Sequence, residues 1–220
     1  MPSSPLVGRL HVLTDFHFQQ RLTHAELARE AVAGGADTVQ FRQKTGTTRD
    51  QILNLAPTVG VCRASAVPCL VDDRLDLALA AGADGVHLGA LDLPVDCARA
   101  VAQGVGRPFV IGATATTASD AVRAQAEGAD YVGFGPVFPT ASKASPASVK
   151  GLAGLEAACR AVSIPVVAIA GITPGRVADC LEAGAWGVAV MTAVSTAPDP
   201  ARATAVFRDE IDRWLASRPS

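Results

Sequence analysis

The stretch Val39-Gln40-Phe41-Arg42-Gln43-Lys44 carries three polar side chains at alternate positions, Gln40, Arg42 and Lys44. On a β-strand a two-residue period puts these three on one face and Val39 and Phe41 on the other. Two cations turned into a protein interior carry a desolvation penalty of several kcal/mol each unless an anion meets them. A bound phosphate is the natural partner. In the competing arrangement, Arg42 and Lys44 run past the strand and are solvated, or pair with Asp72 and Asp73. Asp73 and Asp92 offer hard oxygen ligands of the kind Mg²⁺ takes, one or two carboxylates with water and substrate phosphate completing the shell. Each could instead cap a helix, Asp73 the one from Leu75 and Asp92 the one after Pro94. The stretch 135–145 adds Thr140, Ser142 and Lys143, a polar arm able to wrap a phosphate, although an ordinary Ser- and Ala-rich loop has the same composition. Gly171, in Ala170-Gly171-Ile172-Thr173-Pro174, and the segment Val190-Met191-Thr192-Ala193 suit a second anion site built from backbone N–H groups.

These residues need a scaffold that gathers distant segments, and a repeat supplies it. AGGADTVQF (33–41), AAGADGVHL (80–88), AEGADYVGF (126–134) and EAGAWGVAV (182–190) each read as a helix end, a glycine cap and a strand start. Four further apolar strands lie at 10–14, 68–72, 109–113 and 165–170. Helical periodicity fills the gaps at 23–34, 48–65, 75–82, 95–103, 118–127, 152–162, 174–183 and 200–216. Eight alternations of strand and helix require parallel strands with crossover helices, and predict an α/β fold: a single-domain (β/α)8 TIM barrel over 1–220, with flexible ends at 1–8 and 217–220. A doubly wound open sheet is the alternative, but Thr14-Asp15-Phe16-His17 after the first strand holds no G-x-G-x-x-G. In such a barrel the chemistry sits on the loops after the strands, where the polar residues above fall.

Composition excludes other classes. The 220 residues are 49% hydrophobic and 18% charged, enough for a buried core, and the net charge of −2 comes with no basic block for nucleic acid. The N-terminal residues lack a signal-peptide pattern, and the longest strongly apolar run, 164–172, is too short to span a bilayer as a helix. Cys62, Cys69, Cys97, Cys159 and Cys180 are scattered without a C-x-x-C pair, as for free thiols in a reducing cytoplasm. His87 reads as a hydrogen-bonded core histidine, while His11, His17 and His24 show no evident partner. Trp186 and Trp214 read as packing. No G-x-S-x-G, H-E-x-x-H or Walker loop occurs.

Five motifs in register give the chain a resemblance to the thiamine-phosphate synthase family and the related thiazole tautomerases. They are Gln40-Phe41-Arg42-Gln43-Lys44, Val71 to Ala78 (V-D-D-R-L-D-L-A), Gly82 to Gly89 (G-A-D-G-V-H-L-G) with Asp92, Gly128 to Thr140 (G-A-D-Y-V-G-F-G-P-V-F-P-T), and Gly171-Ile172-Thr173-Pro174. The resemblance covers essentially all eight units. It implies that Gln40, Arg42, Lys44, Asp72, Thr114 and Lys143 contact a pyrimidine diphosphate and that Asp73 and Asp92 hold Mg²⁺. It further implies that Thr140, Ser142, Gly171, Met191 and Thr192 contact a phosphorylated thiazole. The implied activity is a transferase reaction forming thiamine phosphate and pyrophosphate, with Arg42, Lys44, Lys143 and Thr114 as the catalytic set. Small-molecule substrates, no nucleic acid and no membrane are expected.

Four positions depart from the family pattern: Asp72 replaces an Asn, Thr114 a Ser, Ala90 a Gln and Ala144 a Lys. The tautomerases place a catalytic His where Thr116 stands, and a hydroxyl is a poor proton shuttle near neutral pH. Tautomerase therefore ranks second, and a non-catalytic barrel that binds a phosphorylated ligand third.

Overall fold

The computed structural model describes residues 7–140 and 148–218. Its strands are β1 (Leu10–Thr14), β2 (Thr38–Phe41), β3 (Cys69–Asp72), β4 (Gly85–Leu88), β5 (Val110–Ala115), β6 (Tyr131–Phe134), β7 (Val166–Ile169) and β8 (Gly187–Val190). Neighbours in sequence pair in parallel, and β1 pairs with β8, so the sheet is a closed barrel rather than an open doubly wound one. The helices are α1 (His24–Ala33), α2 (Thr48–Ala64), α3 (Leu75–Ala80), α4 (Val95–Ala102), α5 (Ala118–Ala126), α6 (Gly151–Ala161), α7 (Val177–Glu182), α8 (Thr192–Ser195) and α9 (Pro200–Ala216). Among the described residues eight of these nine helices match the periodic segments; α8 is too short to show a period. Among the described residues no helix is long and apolar enough to cross a membrane.

The repeat has a structural role at the N-terminal end of the barrel. Its glycines at 35, 82, 128 and 184 take φ between 65° and 98°, a left-handed turn that swings the chain from helix into strand. The Asp that follows accepts backbone N–H groups where the preceding strand begins: Asp37 from Leu10 at 2.9 Å, Asp84 from Cys69 at 2.9 Å, Asp130 from Ile111 at 2.7 Å. In the fourth copy Trp186 takes the place of Asp and donates its indole N–H to the Val7 carbonyl at 3.0 Å. Helix starts are equally local. Thr23 with Glu26, Thr47 with Asp50 and Thr117 with Asp120 form reciprocal capping boxes.

Two cores follow from the strand alternation. Outward residues such as Val39, Phe41, Val86, Ile111 and Phe134 pack against the helices. Inside the barrel, Leu13, Leu70, Val110, Tyr131, Val167 and Ala189 fill the lower layers. Paired residues of parallel strands face the same side, so the register Leu13–Gln40–Leu70 and Asp72–His87–Gly112–Tyr131 puts Gln40, Asp72 and His87 inside with them.

Candidate active site

β2 stops at Phe41, so Arg42 and Lys44 stand just past it at the C-terminal rim while Gln40, 3% exposed, points into the barrel. Both cations already have carboxylate partners. Lys44 pairs with Asp73, as the competing arrangement anticipated, but Arg42 pairs with Asp15, a residue at the end of β1 not singled out by motif. Asp15 is buried, which makes this a positioned ion pair rather than a solvated one.

The helix-cap alternatives for the two carboxylates are absent. The residue preceding α3 is Arg74 and that preceding α4 is Pro94, and neither helix start has a side-chain cap. Asp92 instead accepts from the Gly89 backbone N–H at 2.7 Å, holding its carboxylate over the end of β4. Asp73 sits at φ 67°, a left-handed conformation that Asp tolerates better than most residues and that re-aims its side chain at the strand end. Burial pushes the Asp92 carboxyl above the usual range, and the Asp73 carboxylate within hydrogen-bonding reach adds to that. Two carboxylates held this close favour a bound cation between them.

Asp72 reports on the whole cluster. Its Oδ1 is buried and has no hydrogen-bond partner among the described residues. Burial, then repulsion from Asp73 and Asp92, raises its carboxyl to about 7, while Lys44 and Arg42 oppose the shift. All four charged groups therefore lie close enough to act on one side chain at the end of β3.

Below the rim a chain of hydrogen bonds crosses the barrel. Gln40 Nε2 meets His11 Nδ1 at 2.9 Å and Tyr131 Oη at 3.1 Å; Tyr131 Oη meets His87 Nδ1 at 2.9 Å; His87 Nε2 meets Thr114 Oγ1 at 3.0 Å. Two glycines make room for these rings. A Cβ on Gly112 would lie 2.2 Å from the Tyr131 ring, and one on Gly133 would lie 2.9 Å from His87 Cε1. His87 is a hydrogen-bonded histidine of the barrel interior, as expected from the sequence, whereas His11 and His24 do have partners, His24 Nδ1 meeting Thr14 Oγ1 at 2.6 Å. Thr114, half-buried at the upper end of β5, is the member of the chain nearest the mouth.

The second group of expected contacts gathers after β6, β7 and β8. Val137 and Phe138 extend the pairing onto Ile169 and Ala170 through backbone bonds of 3.0 and 3.1 Å. Gly171, at φ 66°, lets that loop pass: a Cβ there would lie 2.5 Å from the Pro139 carbonyl oxygen. Arg176 fastens the turn by donating to the Gly171 carbonyl at 2.7 Å and stacking on Phe138 at 4.4 Å. Met191 packs on the interior core, and Thr192 opens α8, the short extra helix that many such barrels place beside a phosphate. Thr140 ends the described part of the loop; Ser142, Lys143 and Ala144 lie outside the described residues. Thr116, where a tautomerase would need imidazole, donates its hydroxyl to Asp120 at 3.0 Å, and so serves the start of α5.

A closed barrel with paired cations and carboxylates at its C-terminal rim, above a polar interior, defines a phosphate-handling (β/α)8 enzyme. Comparisons narrow this class. The family model described as thiamine monophosphate synthase matches residues 10–194, and the chain belongs to that family. It is 57% identical over 214 residues to the thiamine-phosphate synthase of Salinibacter ruber, covering 97% of this chain and 93% of that one. It is 50% identical over 202 residues to the thiamine-phosphate synthase of Salinispora arenicola, covering 91% and 96%. Among solved structures, the thiamine phosphate pyrophosphorylase of Pyrococcus furiosus superposes with a TM-score of 0.85 at 37% identity, covering 96% of this chain and 98% of that one. The chain is accordingly a transferase of the thiamine-phosphate synthase type.

Proposed function

We propose that the rim joins hydroxymethylpyrimidine diphosphate to thiazole phosphate, releasing pyrophosphate and forming thiamine phosphate. The carbon–oxygen bond to the diphosphate breaks, the leaving group keeps the electron pair, and the amino-pyrimidine delocalises the cation left behind. The thiazole nitrogen supplies the pair for the new carbon–nitrogen bond. No protein nucleophile is needed; positioning and charge stabilisation lower the barrier.

The observation that carries this reading is the convergence of Arg42, Lys44, Asp73 and Asp92 on the end of β3, registered at Asp72. Arg42 and Lys44, held in place by Asp15 and Asp73, provide donors for the oxygens on which charge builds. Gln40 and Thr114 face the pyrimidine, and Asp72 lies beside the diphosphate. Thr140, Gly171, Met191 and Thr192 serve the phosphorylated thiazole, with Ser142 and Lys143 assigned there and to the diphosphate by the family resemblance alone.

Among the described residues no cluster of three or more His, Cys, Asp or Glu side chains forms a metal site. Mg²⁺ does not require one: the Asp73 and Asp92 pair fits its preference for one or two carboxylates. When bound there, the ion would neutralise charge on the departing diphosphate. The remaining work belongs to the chain, which orients the ring through Gln40 and Thr114 and holds two cations against the leaving group.

Asp73→Asn and Asp92→Asn test the assignment. Each is expected to lower pyrophosphate release about a hundredfold or more and to flatten its dependence on Mg²⁺ concentration. Wild-type metal dependence in both variants would remove the two residues from the site.

A further inference from the structure

The hydrogen bonds that cross the barrel have a direction, and it can be worked out from the buried end. His11 Nε2 lies 3.0 Å from the Gly8 carbonyl oxygen, which can only accept, so Nε2 carries a proton. Burial holds the His11 imidazole down at about 4, so near neutral pH its Nδ1 is bare and accepts. Gln40 must then present its amide nitrogen rather than its oxygen to His11, which settles the orientation of that side chain. The second amide proton goes to Tyr131 Oη. Burial keeps Tyr131 a phenol, and its own proton finds His87 Nδ1. With Nδ1 accepting, His87 donates through Nε2 to Thr114 Oγ1. With these assignments every proton along the chain meets an acceptor, and two groups remain: the Gln40 Oε1, which makes no hydrogen bond among the described residues, and the Thr114 hydroxyl proton.

We propose that His11, on β1 and remote from the rim, is a positioning residue whose Nε2–H form sets the direction of the whole chain, so that an acceptor on Gln40 and a donor on Thr114 meet the substrate ring. The inference rests on the reading of Gln40 and Thr114 as ring contacts. An aminopyrimidine suits that pair, since its exocyclic amine donates and its ring nitrogens accept. Reversing the chain would present a donor at Gln40 and consume the Thr114 proton on His87, a mismatch at both contacts. The fully buried His11 would act on the substrate through its hydrogen bond to Gln40, its ring meanwhile packing on Tyr131.

The test is which ring nitrogen of each histidine is protonated. In uniformly ¹⁵N-labelled protein at neutral pH, long-range ¹H–¹⁵N correlation of the four histidines should show His11 and His87 both as Nε2–H. Replacing His11 by Phe removes the acceptor while keeping a ring against Tyr131. The Gln40 amide should then turn, His87 should switch to Nδ1–H, and KM for the pyrimidine diphosphate should rise about tenfold while KM for the thiazole phosphate holds. His11→Asn places an oxygen where Nδ1 stood and should restore the Nε2–H form of His87 and recover most of the lost affinity. His87 protonated on Nδ1 in the wild type, or an unchanged His87 in folded His11→Phe, would overturn the proposal. If His11→Phe does not fold, the wild-type spectrum and His11→Asn decide. An absence of turnover with the expected protonation pattern would sink the reaction assigned above while leaving the directed chain standing.

Discussion

At Asp72 a single atom separates this chain from the family pattern, because the Asn expected there would bring an N–H in place of a carboxylate oxygen. The carboxylate has a buried Oδ1 with no hydrogen-bond partner among the described residues, and four neighbouring charges, those of Asp73, Asp92, Lys44 and Arg42, act on it. Its folded-state value near 7 lies above the ordinary value of about 3.9, so the folded protein binds the proton more tightly than the unfolded one. Stability therefore falls as pH rises from about 4 to about 7, and the full cost persists above that. Asp72→Asn removes the cost, so in metal-free buffer it should raise Tm by several degrees at pH 8 and by clearly less at pH 5. An equal shift at both pH values would contradict the burial account. Pyrophosphate release by Asp72→Asn is expected to equal or exceed that of the wild type; a collapse would mean that the carboxylate is itself used.

Along the strands, glycine decides where the large interior rings go. Gly112→Ala would drive a Cβ to 2.2 Å from the Tyr131 ring, with the backbone on one side and a packed barrel on the other. It should destabilise by about 3 kcal/mol in chemical denaturation, at the upper end of ordinary overpacking. Gly133→Ala meets His87 at 2.9 Å and should cost less stability but disturb KM for the pyrimidine diphosphate, since His87 reaches Thr114. Equal losses of stability from the two would argue against this ranking. The same scale shows what the sequence disclosed. Gln40 was legible because strand alternation is local, and the glycine turns of the repeat were legible for the same reason. Asp15 was not, because its partner Arg42 is reached only through the pairing of β1 with β2. His11, Gln40, Tyr131 and His87 come from four strands, so no spacing along the chain announces their contact. The four-residue α8 carries too little periodicity to be read.

Across the whole molecule, the two ends of the barrel divide the labour. The N-terminal end holds the repeat's aspartates, each tying a strand start to the next unit, while the C-terminal end holds the charged rim. Asp130, which accepts from Ile111 and pairs with Arg99, belongs to the first set. Asp130→Ala should lower stability by about 1–3 kcal/mol with KM for both substrates unchanged. A selective change in KM would break the division. The central claim concerns the other end, where cations and a carboxylate pair surround a departing diphosphate. Its most direct measurement is pyrophosphate release by the purified chain with Mg²⁺, the pyrimidine diphosphate and the thiazole phosphate, repeated with each of the three withheld. The account predicts stoichiometric pyrophosphate and thiamine phosphate from the complete mixture and loss of product when any component is missing. No release from the complete mixture, or equal release without both metal and thiazole phosphate, would contradict it.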